Sequence, residues 1–319
     1  MAAYLVTGGA GFIGSHLAEE LVRRGHQVTV VDNLSTGSRR NLEAFGSRLR
    51  FVEGDLADLA VCREVVGGID YVLHQAAIPS VPRSIEDPIA SHRANVDATL
   101  NLLVAAADAG IRRLVFAGSS SVYGDAAHLP KHEDLPPRPR SPYALQKLVG
   151  EQYCELFTAL YGLDTVTIRY FNVFGPRQNP GSPYSGVISL FASALLEGRR
   201  PVVHGDGEQT RDFTYVTNVV DAVLRACEAD GVSGLVLNVA TGSRVSLNGL
   251  LATMNRLLGT TIEPRYGEPR AGDIRDSEAD IARARARLGY EPRVRLEEGL
   301  QRTLDWFRAQ PLVSRPRRG

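Results

Sequence analysis

Cysteine is scarce: Cys62, Cys154 and Cys227 stand far apart, are odd in number, and form no CxxC pair that could hold zinc. That excludes a disulfide scaffold and leaves the three as small core residues of a reduced, cytoplasmic protein. An excess of one charge is also lacking. Lys plus Arg and Asp plus Glu each total 36, so no global field gathers nucleic acid or a membrane surface, and any anion must be held by local groups. No apolar run reaches the roughly 18 residues of a transmembrane helix. The N-terminus, MAAYLVTGGAGF, enters a strand at once, without a basic and then apolar leader. Fixed-period repeats and low-complexity segments are absent, and 44% apolar with 23% charged residues is the balance of a folded chain, which argues against disorder. The tail Ser314–Gly319 is basic, but a solvated, frayed end is expected there. Of the seven histidines only His128 and His132 are four apart; Pro130 between them breaks any shared helix face, so a loop is expected and no metal site.

What is present is an alternation of short β-branched runs with helical stretches. Tyr4–Thr7, Gln27–Val31, Arg50–Glu53, Tyr71–His74, Arg113–Ala117 and Thr165–Arg169 read as strands, and Ser15–Arg24 and Ala90–Ala109 carry apolar residues at helical spacing. This is the rhythm of a Rossmann-like, doubly wound parallel sheet in an α/β fold. Past Asn172 the pattern loosens into a Gly/Pro/Asn-rich loop over Gly175–Gly186, a helix over Val187–Glu197 and shorter pieces, which predict a smaller α/β lobe over 171–319. Phe213–Cys227 and Leu235–Val239 read as a helix and a strand that return to the first lobe, residues 1–170.

Gly8, Gly11 and Gly14 in YLVTGGAGFIGSHL lie between an apolar strand and an amphipathic helix. Their spacing is GxxGxxG, and glycines there let backbone N–H groups approach a pyrophosphate at the helix N-terminus. Such a turn alone is also a plain strand-to-helix connection. Asp32, closing VTVVD, strengthens the ligand reading: a carboxylate at that point accepts hydrogen bonds from an adenosine ribose and repels a 2′-phosphate, which favours NAD over NADP. Asp55, closing VEGD, either reaches the adenine edge or caps the next helix.

Tyr143 and Lys147 in SPYALQK share a face if the stretch is helical, and Ser141 as N-cap with Pro142 at the first helical position predicts that it is. A phenol of pKa ~10 needs about 4 kcal/mol of added favourable interaction to ionise near neutrality; Lys147, the helix dipole and a nicotinium charge are available sources. Ser119, Ser120 and Ser121 follow the strand RLVFAG, at the carboxyl end of a parallel strand, where a hydroxyl has a place in moving a substrate proton. Taken alone, YxxxK is a weak signal and SSS is as readily a helix cap.

Together with TGGAGFIG, VDNLSTG, GDL, HQAA, SSSVYG, SPYALQK, RYFNVFGPRQ, GDGEQTRDF and RAGDIRDS in that order, these residues resemble the extended short-chain dehydrogenases/reductases, and most closely their nucleotide-sugar 4-epimerases, over essentially the whole chain. The resemblance implies a catalytic set of Ser119, Tyr143 and Lys147. It implies NAD contacts at Gly8, Gly11, Phe12, Ile13 and Gly14, at Asp32, Asn33, Ser35, Thr36 and Gly37, at Asp55 and Leu56, at Gln75, Ala76 and Ala77, and at Asn95 and Tyr170. For a UDP-sugar substrate it implies Ser80, Ser120, Ser121, Asn172, Gln178, Val187, Arg211, Arg270, Asp273 and Ser277, with the two arginines as phosphate clamps and Asp273 on the uridine ribose. His204 is a candidate for the uridine pocket; His74, at a strand end, is expected to be packed rather than basic. A homodimer through the helices 90–109 and 142–160 follows from the same resemblance.

Dehydratases of this type read TDEVYG where the chain reads Ser119-Ser120-Ser121-Val122-Tyr123-Gly124. No carboxyl group stands where elimination needs one, so epimerisation through a transient 4-keto sugar is the reaction expected, with Tyr143 as base and Ser119 in the hydrogen-bond path. Ser277 occupies a position where resembling epimerases restricted to plain sugars carry tyrosine. A small residue there, with Ser80, the serine triplet and Gln178, implies UDP-GlcNAc/UDP-GalNAc alongside UDP-Glc/UDP-Gal. UDP-glucuronate ranks second, since uronate epimerases tend to read RYFTVYGPRQRPDM; a dehydratase, a decarboxylase or a non-catalytic NAD-binding regulator ranks below, the last because Tyr143 and Lys147 are both present.

Overall fold

A computed structural model describes residues 1–179, 186–269 and 274–310. Six strands appear where alternation places them: β1 (Ala3–Thr7), β2 (Gln27–Asp32), β3 (Arg50–Glu53), β4 (Tyr71–His74), β5 (Arg113–Ser119) and β6 (Thr165–Tyr170). Later strands are short: β7 (Val173–Phe174), β8 (Val202–His204), β9 (Thr210–Arg211), β10 (Thr214–Tyr215), β11 (Val236–Val239), β12 (Val245–Ser246) and β13 (Arg265–Gly267). The main sheet runs β11-β6-β5-β4-β1-β2-β3, every pair parallel. Chain direction across the sheet reverses between β1 and β4, the switch point outside whose carboxyl ends open α/β sheets hold ligands.

Alternate residues of each strand feed two cores. Tyr4, Val6, Val28, Val30, Val115, Val166 and Ile168 pack on one face under α1 (Phe12–Arg23), α8 (Val216–Glu228) and α10 (Ala282–Leu288). Leu5, Val31, Val72, Leu114 and Phe116 pack on the other under α2 (Leu59–Val65), α5 (Ala98–Asp108) and α6 (Pro142–Tyr161). Burial on both faces is why these strands read as near-continuous apolar runs. The cysteines are buried and unpaired, Cys62 and Cys154 in the second core and Cys227 in the first. The smaller lobe has its own core of Phe174, Phe191, Phe213, Leu250, Met254, Leu300 and Leu304, gathered from α7 (Val187–Leu196), α9 (Leu247–Leu258), α11 (Leu296–Ala309) and the short strands. The chain crosses between the lobes more than once, because α8 packs on α1 and β11 pairs with β6.

The single helix expected over 90–109 is interrupted. After α3 (Val81–Glu86) come α4 (Pro88–His92), a π-helical turn over Arg93–Asp97, and then α5; the N–H of Ala98 reaches back five residues to Arg93. The Asn95 carbonyl accepts the Thr99 hydroxyl at 2.7 Å, and the Asn95 side chain bonds Ile78 and Gln146, which anchors the turn from outside the helix. Periodicity cannot register a one-residue insertion of this kind. Among the described residues no helix is long and apolar enough to cross a membrane.

Candidate active site

The carboxyl ends of β1, β2, β4, β5 and β6 and the start of α1 wall a cleft enclosing about 1030 Å³ out to its solvent mouth. Its lining includes Gly8, Gly11, Phe12, Ile13, Gly14, Asp32, Asn33, Ser35, Thr36, Asp55, Leu56, Gln75, Ala76, Ala77, Tyr143, Lys147 and Tyr170, all singled out in the sequence. It also includes Gly54, Ile78, Pro79, Ala94, Ala98, Ala117 and Gly118, small or apolar positions to which the sequence assigned no contact.

The glycines divide their work. Gly8 has φ of +62°, and a Cβ on it would lie 2.8 Å from the Ala76 backbone, so β1 and β4 touch there. A Cβ on Gly14 would fall 2.3 Å from the Gly8 carbonyl, and one on Gly9, outside the fingerprint, 2.5 Å from Val30; both are packing glycines. Gly11 caps α1 without any side-chain hydrogen bond, and a Cβ on it would meet only the Gly8 carbonyl, at 3.1 Å. The first N–H groups of α1 are thus presented to the cleft, as a pyrophosphate requires.

Asp32 is buried, and its two oxygens accept the N–H groups of Ala10 and Leu34 at 3.0 and 2.8 Å. Burial pushes its carboxyl upward and these bonds pull it back. Gly37 abuts Asp32 and Ala10, where a side chain would collide, so it shapes the carboxylate's surroundings from outside the cleft. Asp55 caps no helix: it accepts Ala57 N–H at 2.9 Å in a local turn, and α2 is capped by Asp58 through Ala60 N–H. Asn95 lies beneath the cleft, holding Ile78 N–H at 2.8 Å.

Below the strand ends a chain of hydrogen bonds fixes the floor. The Thr7 hydroxyl accepts the N–H groups of Gln75 and Ala76, both at 3.1 Å, and meets His74 Nδ1 at 2.8 Å; His74 Nε2 lies 3.0 Å from the Thr99 hydroxyl, whose proton goes to Asn95 O. With the Thr99 proton so committed, His74 carries its hydrogen on Nε2 and takes the Thr7 proton on Nδ1. Burial, aided by the nearby Lys147 charge, pushes His74 down to about 3, so it is a neutral strut, as expected. Gln75 accepts the Tyr170 hydroxyl at 3.0 Å while its Nε2 is buried without a partner among the described residues. An orphaned donor at the cleft floor fits a polar ligand such as the carboxamide or ribose of a dinucleotide.

α6 begins as the sequence predicts. Ser141 caps Ala144 N–H at 3.1 Å, and the Tyr143 N–H goes to Ser84 of α3 at 3.1 Å. Gly150 lets the helix settle on β5, where a Cβ would lie 2.5 Å from the Phe116 ring. That close seat brings Lys147 Nζ to 2.9 Å from Ala117 O and 5.0 Å from the Phe116 ring centre. Burial lowers Lys147 to about 8. Tyr143 is raised by burial, with a hydrogen bond from Ser119 pulling the opposite way. Ser121 turns its hydroxyl onto Ser119, at 2.9 Å.

Most positions expected at the sugar fall in the second lobe, and among the described residues none beyond Tyr170 lines this cleft. Asn172, at φ of +33°, gives its side-chain N–H to Asp212 O at 3.1 Å, and Arg211 Nη1 donates to Thr210 O at 2.8 Å and Arg275 O at 3.2 Å. Ser277 is buried, its N–H on Thr210 O at 3.1 Å. Ser80 caps α3, Gln178 donates to Val173 O at 3.3 Å, Val187 opens α7, and His204 Nδ1 lies 3.1 Å from Glu268 O. Arg270 and Asp273 lie outside the described residues. The hub of this lobe escaped sequence analysis: buried Asp212 accepts Thr241 N–H and hydroxyl, Gly242 N–H and Ala279 N–H at 2.6–3.3 Å. Only its place after Arg211 in QTRDF could have marked it. The Gly175–Gln178 stretch is bolted to α1 by Arg177 on Glu19 at 2.6 Å and His16 on Pro176 O at 3.0 Å.

Comparison with known proteins agrees with this geometry. The model of the NAD dependent epimerase/dehydratase family matches residues 4–240. A UDP-glucose 4-epimerase of Mycolicibacterium smegmatis is 41% identical over 95% of this chain and 98% of its own, and a putative UDP-glucose 4-epimerase of Methanocaldococcus jannaschii is 38% identical over 95% and 98%. The solved UDP-N-acetylglucosamine 4-epimerase of Methanobrevibacter ruminantium superposes with a TM-score of 0.93 at 41% identity, covering 97% of this chain and 99% of that one. A UDP-glucuronate 4-epimerase of Thermodesulfobacterium geofontis is 33% identical over 96% of both chains. With the glycine turn, the buried Asp32, Tyr143 and Lys147 around one cleft, the chain belongs to the NAD dependent epimerase/dehydratase family, among its nucleotide-sugar 4-epimerases, and its cofactor is NAD.

Proposed function

We propose that the chain interconverts UDP-GlcNAc with UDP-GalNAc and UDP-Glc with UDP-Gal, using Ser119, Tyr143 and Lys147 for the chemistry. The observation that carries this is the pair Tyr143 and Lys147 in the cleft, with Ser119 hydrogen-bonded to Tyr143 and no carboxylate at residues 119–121. A hydroxyl-lined corner supports oxidation and re-reduction of a carbinol, and gives no acid to expel water. NAD, when bound, supplies the reversible hydride acceptor for carbon 4 and a positive ring charge. Tyr143 then takes the 4-hydroxyl proton, Ser119 donates a hydrogen bond, and Lys147 holds cationic charge beside the phenol. Because burial keeps Tyr143 protonated in the protein alone, its ionisation waits for added positive charge. Oxidation and re-reduction at the same carbon balance, so no external reductant is consumed.

Acceptance of the N-acetylated sugars is supported by small, buried Ser277 and by Ser80 and Gln178. Arg211 and Asn172, with Arg270 and Asp273, are proposed to hold the UDP. A homodimer is supported by exposed Leu145, Leu156, Leu160 and Tyr161 on α6, which continue into a groove lined by Leu100, Val104 and Tyr153. The unpaired cysteines suit a cytoplasmic location. Purified protein, incubated without reductant with UDP-Glc, UDP-GlcNAc and UDP-GlcA in turn, should yield the 4-epimers of the first two. Conversion of UDP-GlcA alone would overturn the sugar assignment, and release of water or carbon dioxide the reaction.

A further inference from the structure

Counting donors and acceptors fixes the direction of the hydrogen bonds at the end of β5. Ser119 closes the strand and caps the 3₁₀ turn Ser120–Tyr123; its Oγ accepts the Ser121 N–H at 3.2 Å and the Ser121 hydroxyl at 2.9 Å. A serine hydroxyl has two lone pairs and one proton. Both lone pairs are occupied, so the proton is all that Ser119 has to give. The direction of its effect on Tyr143 agrees: hydrogen bonding from Ser119 favours the ionised phenol. A relay through Ser119 would require it to accept the sugar's proton while passing on its own, and no acceptor site is left for that unless Ser121 lets go.

Resting on the 4-epimerase assignment above, we propose that Ser121 is a positioning residue that locks Ser119 as a one-way hydrogen-bond donor, so that Tyr143 alone takes and returns the proton on the sugar's O4. In the oxidising half the O4–H bond would break as a Tyr143 O–H bond forms, and the C4–H bond would give up its electron pair to the hydride acceptor that bound NAD supplies, leaving C4=O. The return half reverses each change on the other face of the sugar. Ser119 keeps its own proton throughout, lending it to the phenolate and to O4 as charge develops there. The titratable groups around this corner are Lys147 on α6 and, behind it on β4, neutral His74. Neither contacts Ser121 in any hydrogen bond described above, so replacing Ser121 leaves both in place.

The test uses the NAD-loaded enzyme with Ser121→Ala and Ser121→Thr. Ionisation of Tyr143 is read as the phenolate absorbance difference between each protein and its Tyr143→Phe counterpart, and kcat and KM are followed against pH. Ser121→Ala should raise the apparent Tyr143 pKa by about one unit and cut kcat on the acid side about tenfold, the rate equivalent of one unit. KM should stay within about threefold, and Ser121→Thr should restore both quantities. An unmoved phenolate titration in Ser121→Ala would overturn the lock. So would an unchanged kcat with a tenfold rise in KM, the signature of a direct sugar contact. The titration needs no turnover, so an enzyme that epimerises no UDP-sugar would sink the proposed function and still leave the lock tested.

Discussion

The cofactor cleft and the lobe proposed to hold the sugar are built by different means. The cleft is the carboxyl edge of one parallel sheet, its strand ends tied by Thr7, His74, Thr99 and Asn95 into a single hydrogen-bonded floor. That lobe carries two-residue strands such as β9 and β12, tied by bonds from Asp212, Asn172 and Arg211 to loop backbone. The first region owes its shape to packing of many residues, the second to a few polar side chains.

That contrast can be broken from the cofactor side first. Tyr143→Phe should lower kcat by about 10²–10⁴-fold while NAD content and the urea midpoint hold, because it removes one proton acceptor and no packing; retained turnover would take the chemistry away from this corner. Gly14→Val should cost about 3 kcal/mol or more and empty the protein of NAD, since the new Cβ starts 2.3 Å from Gly8 O. Denaturation curves and cofactor release on filtration read both effects. Asp212→Ala should cost about 2–3 kcal/mol by freeing four donors, and should weaken UDP binding in calorimetry far more than NAD binding. Equal loss of both ligands would mean that the two regions are not independent.

The last effect is one of pH, and it is confined to acid. His74 in the cofactor floor and His16 at the lobe junction are both depressed by burial, to about 3 and about 4. The unfolded chain binds these protons near pH 6.5 and the folded chain does not. Each contribution is therefore complete above about 6.5 and is lost as pH falls through the folded value. Replacing His16 by Gln should flatten the stability curve between 6.5 and about 4, and replacing His74 should flatten it further, down to about 3; urea midpoints at stepped pH would show the two windows.

How much of this could be read in advance also divides between the two regions. The sheet, the turn at Gly8–Gly14, Asp32 and the Tyr143–Lys147 face declare themselves because strand alternation, helix capping and tight turns are local and leave a residue signature. Gly150, Ser84 and Thr7 do not. Each matters through a neighbour distant in sequence, Phe116, Tyr143 and His74, and nothing in a window of ten residues tells a seating glycine from an ordinary one. Asp55 shows the same limit in miniature, since two aspartates three apart compete for one helix start and Asp58 takes it. On the sugar side, Ser121 was expected against the substrate, and its hydroxyl is turned inward to Ser119.

The seventh strand bears on how this protein could be divided. β11 arrives only after the chain has passed through the smaller lobe, and it covers β6 along the register Thr167–Tyr170. A fragment ending after β6 would bare that ladder to solvent as an unguarded edge, open to pairing with other fragments and to aggregation. The smaller lobe is thus drawn from chain on both sides of β11, α7 before it and α9 and α11 after it, so no single cut separates that lobe from the sheet.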